Sequence, residues 1–301
     1  MPTAWTRDSA LQALDAAVAA GRLDRVRAAG ALDHLARVDP DEAVAAAVLR
    51  FGEAMLDGAF QDRRHADLLE ACVRLLSRTE ERRALPFYRR ATELELPTPR
   101  GDLACSLRGL ALAAMHPMEP RTSRWVALRL LMGARSRSGE PARTALAALG
   151  AQGEDAALLL ACRTVLADEI PLQVAALAQM SSDVPADAFW EVAAPLLGDR
   201  FPSAVLAITD LIVEGRRGEL LPGFAAAMVG VSDPDLWRAV LLSLLGSRLD
   251  GVEDVFAAGV VRAPQRALPG IEEALMLARL ARQEELLHRL SERSRAGGPN
   301  G

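Results

Sequence analysis

Prolines recur at a nearly constant interval in the second half of this 301-residue chain. They stand at Pro141, Pro171, Pro202, Pro234 and Pro264, so the intervals are 30, 31, 32 and 30 residues. Self-similarity at such a period is typical of proteins built from stacked repeats. Proline is tolerated in the first turn of a helix, because its missing N–H would be unpaired there and its φ is already helical. We therefore expect these prolines to begin helices rather than to interrupt them.

Each interval has room for a second helix. Apolar patterns rich in Ala and Leu, bounded by Gly or Asp, occupy the runs 154–168, 186–199, 218–230 and 252–263. A pair of short helices cannot bury its own apolar face, but it can do so by stacking on neighbouring pairs. The composition agrees, since aromatic residues make up only 4% of the chain and Ala and Leu favour helices. The predicted fold class is all-α.

The repeat register makes two local predictions. Asp precedes Pro at Asp39–Pro40 and at Asp233–Pro234, and both pairs are typical of an N-cap followed by a first-turn proline. Leu177, Ile208 and Val240 each lie six residues after a repeat proline. We expect these three side chains to be buried between helical layers.

The run "PARTALAALGAQG" (141–153) resembles the inner helix of HEAT-type repeats, with its starting proline, Ala-rich middle and "ALG" ending. The resemblance is clearest over 140–263. It implies an α-solenoid, a right-handed superhelix of stacked antiparallel helix pairs as in HEAT and ARM proteins. The basic residue usual early in the inner helix is matched at Arg143 and Arg238 but is absent after Pro171 and Pro202, so no continuous Arg ladder is implied.

The first half of the chain is less regular. Helices are predicted at 8–20, 22–37, 40–57, 62–77, 79–94, 100–115 and 120–134, and the prolines there follow no constant interval. We predict a single continuous solenoid with an irregular helical-repeat half at 1–138 and regular HEAT-like repeats of about 31 residues at 139–293. The last residues, 294–301, are predicted to form a disordered tail.

The charge distribution bears on possible partners. The net charge of −5 and the pI near 5.5 argue against a general nucleic-acid binder. Residues 1–150 carry 22 Arg against 19 acids, whereas 151–301 carry 13 against 21. Between Arg100 and Arg143, eight Arg meet only three acids. A basic middle stretch and an acidic second half therefore predict an acidic protein partner, or weak head-to-tail association of copies.

Cysteine usage and hydropathy predict a cytoplasmic protein. The three cysteines, Cys72, Cys105 and Cys162, are far apart within helical patterns, as is typical of buried free thiols. Asp8 and Asp15 interrupt the N-terminal apolar stretch, and no uncharged run has the roughly 18 residues of a membrane helix. All 35 basic residues are Arg, which suggests a GC-rich bacterial genome.

Motifs that carry chemistry are scarce. The four histidines are isolated, and the sequence has no HExxH, no CxxC and no Gly-rich phosphate loop. No Ser or Cys stands beside a plausible base. The sequence therefore predicts no catalytic residue, no cofactor and no metal.

One stretch carries candidate partner-binding residues. Arg121, Trp125 and Arg129 are spaced four apart, so they lie along one stripe of a helix. Such a stripe can hold a phosphate, an acidic peptide or a stacked base. The alternative is a buried Trp whose flanking Arg side chains extend to solvent. The full set of candidates is Arg121, Arg124, Trp125, Arg129, Arg135, Arg137 and Arg143.

Two function classes remain from the sequence. The first is a non-enzymatic scaffold that holds another protein on the concave solenoid surface. If the Arg stripe is ordinary solvated surface, the binding site is expected on the helices that begin with proline, around the substitute contacts Gln173, Asp210 and Arg238. The second is a HEAT-like nucleic-acid-binding protein or enzyme, of which alkylpurine DNA glycosylases are the nearest example. Those enzymes line a groove with Trp, Asp and Arg, whereas Trp125 is followed one turn later by Arg129. HEAT-like bilin lyases are a further option that no specific residue favours.

Overall fold

The computed structural model describes residues 5–58, 65–79, 81–99, 101–133 and 139–296. Within these ranges the chain is almost entirely helical, and the all-α prediction is confirmed. The chain divides into two compact units, Met1–Gln152 and Gly153–Gly301. Cores of small and branched apolar side chains hold each unit together.

The first unit contains eight α-helices in its described part. They are α1 Arg7–Ala20, α2 Arg25–Leu35, α3 Glu42–Leu56, α4 Ala66–Ser77, α5 Leu85–Ala91, α6 Cys105–Met115, α7 Pro120–Met132 and α8 Ala142–Gly150. A 3-10 turn at Arg82–Ala84 leads into α5. Helices α1, α3 and α6 each contact both the next helix and the next but one, and α2 and α4 each contact the next but one.

The second unit contains nine α-helices in its described part. They are α9 Asp155–Arg163, α10 Ile170–Leu177, α11 Ala186–Ala193, α12 Pro202–Glu214, α13 Leu221–Met228, α14 Pro234–Ser247, α15 Val252–Arg262, α16 Leu268–Leu277 and α17 Gln283–Ala296. Further 3-10 turns lie at Ala194–Leu196, Gly218–Leu220 and Gln265–Ala267. Here α10, α12, α14 and α16 lie next to one another in that order, as do α9, α11, α13, α15 and α17.

Three of the five repeat prolines lie in the first turn of an α-helix, whereas Pro141 is the N-cap of α8 and Pro264 precedes the 3-10 turn at Gln265–Ala267. Pro171 is the second residue of α10, and Pro202 and Pro234 are the first residues of α12 and α14. The Asp233 side chain caps α14 by accepting hydrogen bonds from the N–H groups of Asp235 and Leu236 at 2.9 and 3.3 Å. The predictions for these prolines and for the Asp233 cap are confirmed.

The prediction that Asp39 caps a helix starting at Pro40 is wrong. Helix α3 begins two residues after Pro40, and its N-cap is Asp41, whose carboxylate accepts a hydrogen bond from Val44 N–H at 2.9 Å. Asp41 lies three residues before that donor, the separation at which a capping side chain reaches a free N–H. The same hydrogen bond lowers the pKa of Asp41. The Arg7 guanidinium lowers that pKa further.

A short hairpin was not predicted. Strand β1 (Pro97–Thr98) pairs antiparallel with β2 (Gly101–Asp102), and α6 begins only at Cys105. The Asp102 carboxylate holds the hairpin to α6 by accepting from Leu96 N–H and Ala104 N–H at 2.8 and 2.9 Å. It also forms a 2.6 Å ion pair with Arg108. The sequence pattern predicted a helix from residue 100, because periodicity alone does not show that the Asp102 carboxylate binds the N–H groups on either side of the hairpin.

The core of the second unit matches the repeat register. Leu177, Ile208 and Val240 have no exposed surface, which confirms their predicted burial. At the other end of the unit, α17 continues to Ala296, so the first three residues of the predicted tail are helical. Residues 297–301 lie outside the described part of the chain.

Candidate functional site

Helix α7 is held along α5 by two ion pairs. Glu119, the N-cap of α7, pairs with Arg89 of α5 at 2.5 Å, and this contact lowers the pKa of Glu119. Arg129, near the other end of α7, pairs with Glu93 at 2.8 Å and donates to the Thr92 hydroxyl at 3.2 Å. The two anchors fix which side of α7 faces inward.

The inward side of α7 is apolar, and the opposite side is exposed. Val126, Ala127, Leu130 and Leu131 are buried, on the side that packs against α6 and α8. Side chains three and four residues apart share a helix face, and four of them form the exposed side. We call this exposed row, Arg121, Trp125, Arg129 and Met132, the α7 stripe.

Trp125 is exposed rather than buried. Its exposed fraction is 68% and that of Met132 is 78%. The sequence left both placements of Trp125 open, because "RWVALRLLM" has apolar residues on both sides of the helix. The structure decides between them, since smaller branched side chains fill the inward face. A Trp and a Met that are both this exposed are unusual on a protein surface and are typical of contact surfaces.

The structure places only some of the predicted partner-binding residues in the α7 stripe. Within the described part of the chain, the Arg121 side chain makes no ion pair or hydrogen bond. Arg124 is half-buried on the side of α7 next to the stripe. Arg143 is exposed on α8 and is therefore not part of the stripe. Arg135 and Arg137 lie outside the described residues.

The middle stretch is less basic in the structure than the count of charged residues between Arg100 and Arg143 indicates. Arg129 pairs with Glu93, and Arg108 pairs with Asp102 and, at 3.8 Å, with Glu95. Both glutamates precede residue 100, so a count over 100–143 leaves them out. Among the described residues Arg121 has no charged partner, whereas Arg129 shares its charge with Glu93.

A pocket of about 260 Å³ opens beside the stripe. Arg129, Leu130 and Gly133 form one side of it, and the segment after α5 forms the other. Its charged lining consists of Glu93, Glu95, Arg108 and Arg129. Equal numbers of acidic and basic side chains give this pocket no preference for ions of one sign.

A partly buried polar cluster joins α6, α7 and the end of α8, and sequence reasoning missed it. His116 Nδ1 lies 3.0 Å from Ser123 Oγ, and the Gln152 side-chain amide donates to Ser123 Oγ at 3.3 Å. Ser123 has no exposed surface, and its hydroxyl donates to the Pro120 carbonyl at 2.7 Å. These hydrogen bonds join the enclosed Ser123 hydroxyl of α7 to the end of α6 and to the segment after α8, so the cluster stabilises the packing of α7.

The three cysteine side chains lie in the core of the described ranges. Cys72, Cys105 and Cys162 are buried and unpaired, as predicted. Burial raises the pKa of Cys72, and it raises the pKa of Cys162 to about 11. No group of three His, Cys, Asp or Glu side chains there is arranged to hold a metal. None of the described helices has the length and apolar character of a membrane span.

The substitute contacts in the second unit differ in exposure. Gln173 is buried, and its amide donates to the carbonyls of Leu166 and Ala167 at 2.8 Å each, which caps the turn after α9. Gln173 is therefore unavailable to a partner. Asp210 and Arg238 are exposed on α12 and α14.

Comparisons with protein-family models, curated proteins and solved structures gave no match for this chain. The candidate site therefore rests on its own geometry.

Proposed function

We propose that this protein is a non-enzymatic interaction scaffold of the α-solenoid type, whose HEAT-like helix pairs present the α7 stripe to another protein. The observation that carries the proposal is the exposed Trp125, flanked one turn away on each side by Arg121 and Arg129. Trp and Arg are the residues that most often dominate binding energy at protein interfaces.

The helix neighbours support the solenoid part of the proposal. In the second unit, alternate helices lie side by side in two series, which is the arrangement of stacked helix pairs. Ion pairs also join helices two apart in the chain. Arg50 of α3 pairs with Asp15 of α1 at 2.8 Å, and Arg25 of α2 pairs with Asp67 of α4 at 2.7 Å. Exposed pairs like these add little stability, but they report which helices are neighbours.

The chemistry of the stripe favours a partner with both apolar and acidic groups. Trp125 and Met132 offer apolar surface, and covering it gives the main favourable free energy. Arg121 offers a planar guanidinium that can bind a carboxylate in a bidentate way. Arg129 is already paired with Glu93, so a partner's carboxylate would have to share or replace that contact.

Affinity capture from the native cell tests this proposal. The bait is the full chain as wild type, as the stripe variant Arg121→Glu with Trp125→Ala, or as a matched control. The control, Arg27→Glu with Val26→Ala, makes the same kinds of change at exposed sites on α2. We expect one protein to be captured by wild type and control but lost with the stripe variant.

The captured protein is then purified and its affinity measured at two salt concentrations. Binding should weaken as ionic strength rises past about 0.15 M, where the screening length falls to about 8 Å. Equal affinity for wild type and the stripe variant would contradict the proposal. Tight, stripe-dependent binding to duplex DNA at physiological salt would favour the nucleic-acid alternative instead.

A further inference from the structure

The outward sides of three neighbouring helices in the second unit form an apolar face with carboxylates around it. We call it the acidic face and define it by Leu206 and Asp210 of α12, Leu242 of α14, and Glu273, Met276 and Leu277 of α16. All six side chains are exposed, Met276 by 62% and Leu277 by 69%. Several large apolar side chains exposed close together are typical of a surface that binds something.

Two contacts align the starts of these helices. Asp199, just before α12, accepts hydrogen bonds from the N–H groups of Ser232 and Asp233, just before α14, at 2.7 and 3.1 Å. Gly270, in the first turn of α16, lies directly against Pro234, the first residue of α14. The three helices therefore begin close together and run in the same direction, so residues at similar distances from each start lie at similar levels.

Two rows cross the face. The first contains Leu206 and Arg238, each four residues after the first residue of its helix, and Glu273, five residues after the first residue of α16; a 2.7 Å ion pair joins Arg238 and Glu273. The second, one turn further along the helices, contains Asp210, Leu242 and Met276. The two rows thus bring three apolar side chains, two carboxylates and Arg238 together within about two helical turns.

Carboxylates dominate the charge of this surface. Helices α12, α14 and α16 together contain Asp210, Glu214, Asp235, Glu272 and Glu273 but a single basic residue, Arg238. Arg238 is itself paired with Glu273 and, at 3.3 Å, with Asp235. Counted over the three helices, five carboxylates outnumber the single Arg, so the apolar face lies in a net negative region, and it fits a partner that combines apolar surface with guanidinium groups.

The same chain carries such a surface on its first unit. We propose that the acidic face of one copy binds the α7 stripe of a second copy, so that copies associate head to tail. This inference rests on the proposed function, because it names a partner for the α7 stripe. Trp125 and Met132 supply the apolar surface, and Arg121 supplies an unpaired positive charge.

The dimensions of the two surfaces match. From Arg121 to Met132 the stripe spans eleven residue steps, which is about 16 Å along a helix. Three neighbouring helices 8–10 Å apart span about 16–20 Å between their outer axes. Helix α7 laid across α12, α14 and α16 therefore places Trp125 and Met132 over the apolar side chains and Arg121 near the carboxylates.

Such a contact uses two different surfaces, so a bound pair of copies leaves one stripe and one acidic face unoccupied. Contacts of this kind add one copy after another. The assembly ends if the copies close into a ring, and it grows as an open filament if they do not. The average mass of the protein should therefore rise with concentration. It should fall again as salt screens the charges.

Single-surface variants test the inference with the full chain alone. Variant A carries Arg121→Glu and Trp125→Ala, and variant B carries Asp210→Arg and Met276→Ser. The matched controls are Arg27→Glu with Val26→Ala for A, and Asp254→Arg with Val261→Ser for B, all at exposed sites outside both surfaces. Circular dichroism and thermal midpoints verify that every variant is folded.

Sedimentation equilibrium then decides. Wild type and both controls should associate as concentration rises, whereas A alone and B alone should stay monomeric, with dissociation constants raised about tenfold or more. An equimolar mixture of A and B should form 1:1 dimers and nothing larger, because the intact acidic face of A meets the intact stripe of B.

A wild type that stays monomeric at every concentration would overturn the inference, as would A and B failing to pair. Association that variant B leaves unchanged would overturn it as well. The proposed function is judged separately by the captured protein, since its binding should be lost with variant A whether or not copies of the chain associate.

Discussion

Gly270 of α16 lies against the carbonyl oxygen of Pro234 at the start of α14, so closely that a Cβ on Gly270 would be 1.8 Å from that oxygen. Real Cβ atoms do not approach backbone oxygens to this distance. The two helices therefore meet backbone to backbone, and only glycine fits at this point. The same contact sets the level at which α16 begins beside α14.

Replacing Gly270 by alanine should destabilise the second unit. The added methyl group has to push α16 away from α14, and overpacking of this kind costs about 1–3 kcal/mol or more. Gly246→Ala is the matched control, because a Cβ there meets nothing within 4 Å. That control should be neutral or stabilise by about 0.5–1 kcal/mol, since alanine favours helix over glycine. Urea denaturation of both variants measures the difference, and equal stabilities would contradict the packing.

The regular half of the fold could be predicted because its signals are local. A proline in the first turn and an aspartate before it act within one turn of their own helix, so Pro202, Pro234 and Asp233 behave as expected. The burial of Ile208 follows from helical periodicity alone. These features need no knowledge of which other segment lies nearby.

Other features depended on partners distant in the chain. Glu93 pairs with Arg129 and offsets its charge, although Glu93 lies outside the Arg-rich stretch from Arg100 to Arg143. The exposure of Trp125 was undecidable from its own helix, since apolar residues flank it on both sides. The acidic face combines residues from three helices, and the order of α12, α14 and α16 side by side could not be predicted from any one of them.

Replacing Ile208 by aspartate should cost several kcal/mol. Ile208 has no exposed surface, so a carboxylate there is buried without a partner. Leu206→Asp is the control two residues away on the same helix, where the side chain is 39% exposed. Thermal unfolding of both variants checks the prediction, and the midpoint should fall much further for Ile208→Asp. An unchanged midpoint for Ile208→Asp would mean that the repeat register is wrong.

Asp199 should make stability depend on acid pH. The Ser232 hydroxyl donates to its carboxylate and lowers the pKa of Asp199 below its ordinary value of 3.8, and the N–H groups of Ser232 and Asp233 act in the same direction. Because the pKa is lower in the folded state, this stabilisation is present above about pH 4 and is lost as pH falls through the folded pKa.

The stability gap between wild type and Asp199→Asn should therefore be largest near neutral pH and narrow as the pH falls below about 4. Ser232→Ala removes the hydroxyl donor and should reproduce part of the gap. The double variant should lose less than the sum of the two single variants, because both changes remove the same hydrogen bond. A gap that does not change between pH 7 and pH 3 would contradict the role of this carboxylate.

Trp125 and Trp237 should differ sharply in their contribution to stability. Trp237 has no exposed surface, and its indole N–H donates to the Val231 carbonyl at 2.9 Å. Trp237→Ala should cost about 3–5 kcal/mol, because it leaves a large cavity and an unpaired carbonyl. Trp125→Ala removes a side chain that is 68% exposed and should change the free energy of unfolding by no more than about 0.5 kcal/mol.

Urea denaturation gives the stability of both variants, and acrylamide quenching of tryptophan fluorescence gives an independent measure of exposure. Trp125→Ala should remove the most accessible fraction of the emission, whereas a folded Trp237→Phe variant should leave that fraction in place. A large loss of stability with Trp125→Ala would show that this side chain packs inside the protein. The α7 stripe would then lose its central residue, and the docking site would have to be sought on the acidic face alone.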